Sequence, residues 1–373
     1  MSAKDSWAMR LEALWYGPRR PPWALRVASR LFGAAVRLRR AAYARGLLAS
    51  QRMERPVIVV GNITAGGSGK TPLVIWLCEQ LSSLGVRPGV VLRGYGGSAA
   101  RGREPRLVTA DSDAAVVGDE ALLLAQRTRA PVAVCRDRVR AARRLLELEQ
   151  AVDVIVADDG LQHLPLARDL ELAVIDAARG LGNGRLLPAG PLREPPGRLT
   201  QIDAIVVNDA RAAAEGAAPE GIADGSAAAA VLTGLPPGAV YRMRLHGDRL
   251  WPLGRGAPVA LDSLAGTRVH AVAGIGHPER FFAHLAGAGL QVIAHPFPDH
   301  HRYRAFELEF ADDLPLLMTE KDAVKCRSFD ARNRWFLPVA ASFSPAQTAA
   351  LRTRLERSLR LRRSLQAPRL LES

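Results

Sequence analysis

Cysteine is scarce in this 373-residue chain. There are three, Cys78, Cys135 and Cys326, widely separated and never in a C-x-x-C pair. That argues against a disulfide framework and a structural zinc site, and fits a reducing compartment. Long apolar runs are missing too: no uncharged stretch reaches the roughly 18–20 residues that span a bilayer. Arg10, Arg19 and Arg20 interrupt any apolar segment near the start, so no signal peptide is expected. The expectation is a cytoplasmic or peripheral protein. Acidic residues are outnumbered, 37 against 51 basic ones, for a formal net charge of +14. Such an excess attracts nucleic acid, acidic lipid or a phosphorylated substrate. RNA-recognition, zinc-finger and helix-turn-helix signatures are absent, which weakens the first of these.

The length exceeds that of a usual single domain, so two domains are expected. Residues 22–48 read as a helix. At about 100° per residue, Trp23, Val27, Leu31, Ala35 and Leu38 share one arc, extended by Leu25, Phe32 and Val36. Arg26, Arg30, Arg37 and Arg40 gather opposite, while Arg39 falls inside the arc. A basic amphipathic helix of this kind can lie in a membrane interface. The alternative is a terminal helix packed on its own domain.

Short apolar strands alternate with helical stretches through most of the chain. Strands are expected at 57–61, 86–92, 132–134, 152–157, 172–175 and 204–207, with helices at 72–84, 119–129 and 138–150. Nearly continuous apolar strands imply a parallel sheet covered on both faces. Residues 98–113 look irregular, 180–198 form a long Gly/Pro/Arg-rich loop, and 209–238 look weakly constrained. Polarity alternates from Val240 to Leu253 around His246-Gly247-Asp248, so a hairpin is expected there. A second α/β unit follows, with strands at 269–273, 291–295 and 316–318 and a helix at 279–288. The tail after Pro345 reads as a basic helix.

Gly61-Asn62-Ile63-Thr64-Ala65-Gly66-Gly67-Ser68-Gly69-Lys70-Thr71 sits between a strand and a helix, the setting of a Walker A loop. Backbone N–H groups from Thr64 to Thr71 can cradle phosphates, aided by the helix N-terminus. Lys70 can reach the β- and γ-phosphates of ATP, and the Thr71 hydroxyl can ligate Mg2+. The strict pattern has glycine where Thr64 stands, so the turn must be made differently. The strand 152–157 ends in Asp158-Asp159-Gly160, where a Walker B carboxylate belongs. Either aspartate can serve Mg2+, directly or through water.

These motifs resemble those of the tetraacyldisaccharide 4'-kinase family. So do Arg93-Gly94-Tyr95, Gly118-Asp119-Glu120, Asp158 to His163, Leu187 to Glu194, Gly274-Ile275-Gly276, Asp299-His300-His301 and Met318 to Ala323. Ala121 replaces a family proline and His277 a family asparagine. The resemblance implies transfer of the ATP γ-phosphate to the 4'-hydroxyl of a tetraacylated glucosamine disaccharide 1-phosphate, in lipid A biosynthesis. It implies a P-loop NTPase-like domain and a smaller α/β domain, joined by a two-stranded β linker, with ATP in the cleft between them. The expected division is 1–50 for the amphipathic region, 51–238 for the kinase domain and 239–373 for the smaller domain with the C-terminal helix. Expected partners are the lipid acceptor and the membrane surface, at the cytoplasmic face of the inner membrane of a Gram-negative bacterium, without nucleic acid.

By the same resemblance Asp119 is the base and His300 its partner. Taken alone, Asp119 equally suits a helix N-cap. Arg193 and Glu194 lie in the long loop, where an arginine can hold phosphate. Arg93, Tyr95, Glu120, Gln162 and His163 are the other candidate acceptor contacts, and loop-stabilising hydrogen bonds are their plainer role. Residues 319–322 follow a strand and can close the cleft on the nucleotide. Two other functions fit the charge and the phosphate loop: a nucleic-acid-stimulated ATPase and a nucleotide-driven switch.

Overall fold

A computed structural model describes residues 11–209 and 231–366. Most of the segment read as weakly constrained, 210–230, lies outside the described residues. The first eight strands are β1 (Val57–Gly61), β2 (Pro88–Leu92), β3 (Arg106–Val108), β4 (Val132–Val134), β5 (Val154–Asp158), β6 (Leu170–Asp176), β7 (Ala204–Asn208) and β8 (Val240–His246). Then come β9 (Arg249–Pro252), β10 (Val259–Ala260), β11 (Arg268–Ala273), β12 (Gln291–Pro296), β13 (Leu316–Thr319), β14 (Arg334–Leu337) and β15 (Ala340–Ser342). One sheet has the order β15-β8-β7-β6-β1-β5-β2-β4-β3, the other β10-β9-β14-β13-β11-β12.

The larger sheet is parallel from β8 to β4, and every residue of β1, β2, β5, β6 and β7 is buried. Burial on both faces is why these segments read as unbroken Val/Ile/Leu runs. The sequence led to the expectation of a parallel sheet, but the sheet is not wholly parallel: β3 and β15 add antiparallel edges. β3 also gives order to part of 98–113, where too few apolar residues had signalled a strand. One face is covered by the helices Lys70–Ser83 and Asp119–Thr128, through Leu73, Leu77, Leu81 and Leu124. Each such leucine contributes about 1.5–3 kcal/mol by burial. The helix Arg138–Leu148 covers the other face through Val139, Ala142 and Leu145. β1 lies between β5 and β6, where the crossover direction reverses, and ligands bind such sheets at the strands' carboxyl ends there.

The hairpin expected at 240–253 does not form. β8 pairs with β15 in the larger sheet and β9 with β14 in the smaller one. The chain therefore crosses between sheets twice, out through Gly247-Asp248 and back through Pro338-Val339, as two strands of one ribbon. The helix Pro345–Gln366, grouped by sequence order with the smaller unit, packs on the larger sheet through Leu351, Leu355 and Leu359.

The N-terminal helix runs Trp23–Ala44. It seats its small residues inward: Ser29 Oγ donates to the Leu186 carbonyl at 2.8 Å, and a Cβ on Gly33 would lie 2.6 Å from Leu186 Cδ1. A larger residue there would require the Leu186 side chain to shift. The apolar arc is left facing outward, with Trp23, Leu31 and Leu38 exposed at 72%, 69% and 72%.

Candidate active site

β1 delivers Asn62 to the start of the phosphate loop, fully buried. Its Nδ2 donates to Thr64 Oγ1 and the Gly66 carbonyl, both at 3.3 Å, and its Oδ1 accepts from Lys70 Nζ at 3.3 Å. Sequence reasoning passed over Asn62, because an asparagine after a strand reads as a turn residue. Thr64 stands where the usual glycine would, outside the positive-φ region, and the long loop braces this stretch. Thr64 bridges to Leu192, and Ala65 N–H donates to the Pro191 carbonyl at 2.7 Å. Gly69 takes φ 93°, and a Cβ there would lie 2.7 Å from Asn208 Nδ2. Ser68 Oγ is buried and has no hydrogen-bond partner among the described residues.

Beside this loop β5 ends in the two aspartates. Asp159 lies 3.5 Å from Lys70 Nζ, and both its oxygens are 3.1 Å from Arg193 Nη1. Burial pushes its carboxyl up, but Lys70, Arg193 and Arg138 outweigh this and hold it well below the usual range. Asp158 goes the other way: burial and the nearby Glu120 charge push it up to about 7. Arg138 binds the carbonyls of both aspartates from beneath, at 2.7–3.3 Å. It was missed in the sequence because it sits in an arginine-rich amphipathic helix that looks solvated.

The second acid–base group forms across the cleft. Asp119 opens the helix Asp119–Thr128, and His300 lies on the loop after β12 with φ 60°. His300 Nδ1 lies 3.0 and 2.9 Å from the two Asp119 oxygens. Burial alone would raise Asp119, but the His300 hydrogen bond with Lys321 and Lys325 lowers it. Burial would lower His300, yet Asp119 raises it. Asp119 is 4% exposed and does not line the open cleft; His300 and Lys321 cover it.

The cleft is a cavity of about 2510 Å³ between the two sheets. Gly66 to Thr71, Asp158, Asp159, Arg93, Tyr95, Glu120, Gln162, His163, Arg193 and His300 line it together. Thr64 and Ala65 instead brace the loop from behind. Glu120 pairs with Lys321 at 3.1 Å, and the Tyr95 ring packs edge-on to His300 at 4.9 Å. Gln162 Nε2 donates to the Asn62 carbonyl at 3.0 Å and Glu194 Oε1 at 2.8 Å. Glu194 also lines the cleft, but it is 3% exposed and ion-paired with Arg40 and Arg198. Burial and Arg138 hold His163 down to about 4, leaving a neutral ring at pH 7. Thr319 caps the helix Glu320–Cys326, and Asp322 accepts from Gly274 N–H at 3.0 Å.

A family model described as tetraacyldisaccharide-1-P 4'-kinase, LpxK, matches residues 21–360. The chain belongs to this family. A tetraacyldisaccharide 4'-kinase of Alkalilimnicola ehrlichii is 52% identical over 354 residues, covering 94% of this chain and 96% of its own. One from Pseudomonas putida is 46% identical over 359 residues, covering 95% and 99%. The crystal structure of LpxK from Aquifex aeolicus in complex with ATP matches with a TM-score of 0.72 at 27% identity, covering 89% of this chain and 97% of that one. This LpxK-family chain is a kinase with a P-loop NTPase-like α/β fold, which sets aside the switch and the nucleic-acid-stimulated ATPase.

Proposed function

We propose that this kinase transfers the γ-phosphate of ATP to the 4'-hydroxyl of a tetraacyldisaccharide 1-phosphate, with Asp119 and His300 handling the hydroxyl proton. The observation that carries this division of roles is the Asp119–His300 contact at 2.9 Å, formed between the two sheets beside the phosphate loop. The hydroxyl oxygen attacks the γ-phosphorus as its proton passes to the Asp119 carboxylate. The bond to the β-γ bridging oxygen breaks and ADP leaves with the electron pair. Asp119 is held ionised by its neighbours, so its carboxylate is free of a proton when the hydroxyl arrives, while the same neighbours lower its proton affinity. The residues covering it come from the smaller unit, so acceptor entry requires that unit, about 249–337, to swing from the larger one on the two-stranded linker.

ATP fits the loop by its chemistry: inward N–H groups, Lys70, and the partnerless buried Ser68 hydroxyl. Mg2+ fits as well. Asp158 is a fully buried carboxyl with raised proton affinity beside Glu120, a position that a divalent cation would stabilise. Thr71 and Asp158 would hold the ion, with Asp159 already neutralised by Lys70 and Arg193. Bound there, it would neutralise charge developing on the phosphates. Arg93, Tyr95, Gln162 and Arg193 face the remaining cleft and are the proposed acceptor contacts.

The acceptor is a lipid, and the outward apolar arc with its flanking arginines suits a membrane surface. No described helix is long and apolar enough to cross a membrane. We place the protein peripherally on the cytoplasmic face of the inner membrane, where ATP is found.

The test is a phosphorylation assay with ATP, Mg2+ and the disaccharide 1-phosphate in detergent. Wild type makes the 4'-phosphorylated product and Lys70→Ala loses ATP binding. Asp119→Asn keeps ATP affinity and loses about 10²–10⁴-fold in turnover. Wild-type turnover in Asp119→Asn would remove Asp119 from the reaction.

A further inference from the structure

Lys321 has no task in this transfer, yet it sits at its centre. Its Nζ lies 3.1 Å from Glu120 Oε1, 3.1 Å from Asp299 Oδ1 and 3.4 Å from His300 Nε2. We propose that Lys321 is a positioning residue that donates to His300 Nε2 and thereby fixes the ring as the Nδ1-protonated tautomer facing Asp119. The inference rests on the Asp119–His300 reading and deepens it.

An ammonium group can only donate, so the ring nitrogen facing it presents a lone pair. The single proton of the neutral ring then sits on Nδ1, where both Asp119 oxygens can accept it. The opposite tautomer would set the Nδ1 lone pair against the carboxylate. Asp119 would then have to take up a proton to make the contact, and a protonated acid is no base. One other acceptor competes for a proton on Nε2: Asp299 Oδ2, at 3.7 Å. That distance is beyond hydrogen-bonding range, and Asp299 Oδ1 is already engaged by Lys321.

The backbone that carries Lys321 is fixed. Thr319 Oγ1 accepts from Asp322 N–H at 3.2 Å and donates to Asp322 Oδ2 at 2.6 Å. Fully buried Asp322 also takes Lys325 Nζ at 2.8 Å and ties the helix to Gly274 after β11.

Charged and titratable groups surround His300 on every side. Asp119 and Glu120 come from one helix, Lys321 and Lys325 from another, Asp299 and Arg302 from its own loop, and the Tyr95 ring edge closes the remaining side. Arg302 is occupied by the Gly96 carbonyl at 3.1 Å. Burial and Lys321 both oppose a charge on the ring, while Asp119 favours it. Removing Lys321 therefore lets His300 protonate at higher pH.

The experiment is long-range 1H–15N NMR on the full chain labelled with 15N-histidine, the His300 signal being identified by its loss in His300→Asn. Above its titration midpoint, located by titrating the same signal, wild type is expected to show a neutral ring protonated at Nδ1. In Lys321→Met the ring becomes a tautomer mixture or its titration midpoint rises by about half a pH unit or more, either change supporting the proposal, while Lys321→Arg stays near wild type. An Nε2-protonated ring in wild type overturns the proposal, as does a Lys321→Met spectrum unchanged in both respects. If Lys321→Met fails to fold, the wild-type tautomer decides. These spectra need no turnover, so a failure of the kinase assay leaves them readable.

Discussion

Arg40 Nη1 and Glu194 Oε2 meet at 2.7 Å, an ion pair that ties the outward-facing N-terminal helix to the floor of the phosphate site. Glu194 holds Gln162, which holds the Asn62 carbonyl and lies 3.5 Å from Arg193, which in turn grips Asp159. Arg40→Ala leaves a buried carboxylate short of one cation at the head of this chain. ATP–Mg2+ affinity, measured by calorimetry without lipid, should weaken about tenfold, or about 1.4 kcal/mol. Arg37→Ala, at an exposed position on the same helix, should leave it unchanged. Equal effects of the two would mean that the helix acts only through its charge.

The Asp119–His300 contact should leave a pH signature in stability. Asp119 is lowered from 3.8, so its contribution is present above that value and is lost as pH falls through its lower folded value. His300 is raised from 6.5, so its contribution is complete below 6.5 and is lost as pH rises through its folded value. The pair therefore stabilises most between 3.8 and 6.5. His300→Asn, whose side chain tolerates the positive φ, should lower the melting temperature more at about pH 5.5 than at about pH 9. Equal losses at both pH values would mean that His300 makes the contact as a neutral ring throughout.

Local features were legible in the sequence. The phosphate loop and the Asp158-Asp159 strand end are set by a few consecutive residues, and buried strands announce themselves by unbroken apolar runs. Pairings between distant segments were not. The alternation in β8 and β9 is the same whether the strands pair with each other or, as here, with β15 and β14 almost a hundred residues on. The motif resemblance pointed to Asp119 and His300, but nothing in it says that Asp119 lies covered. Glu194 reads in the sequence as a candidate acceptor contact in a polar loop; its pairing with Arg40 depends on a helix some 150 residues earlier and could not be read there.

The exposed arc of the N-terminal helix predicts a membrane phenotype separable from folding. Leu31 is 69% exposed and outside the buried cores. Leu31→Asp should reduce partition onto vesicles containing anionic lipid by about tenfold or more. Its unfolding free energy should stay within about 0.5 kcal/mol of wild type, as for other exposed sites. Were the arc instead a packing face, the substitution would cost stability and leave vesicle binding unchanged.

Closure of the cleft has its own strut. Arg280 Nη1 and Nη2 reach the two oxygens of Asp176 at 2.5 and 2.6 Å, joining the helix Pro278–Gly287 of the smaller unit to the end of β6. Just before that helix, Gly276 comes so close to the phosphate loop that a Cβ on it would lie 3.2 Å from Gly67 N. The pair thus holds the smaller unit's glycine loop over the place where phosphates bind. Asp176 also accepts the N–H groups of Ala178 and Arg179, so its charge keeps partners when the arginine is removed and the fold survives. Arg280 is 39% exposed at its side chain, so solvent screening limits the loss to about 1 kcal/mol. Arg280→Ala should therefore raise the KM for ATP about fivefold while leaving the melting temperature almost unchanged. Arg280→Lys should recover only part of this, because one ammonium cannot reproduce the two-pronged contact. A KM unaltered in Arg280→Ala would show that the smaller unit closes over ATP without this pair, leaving the Asp119–His300 and Lys321–Glu120 contacts to hold the cleft shut.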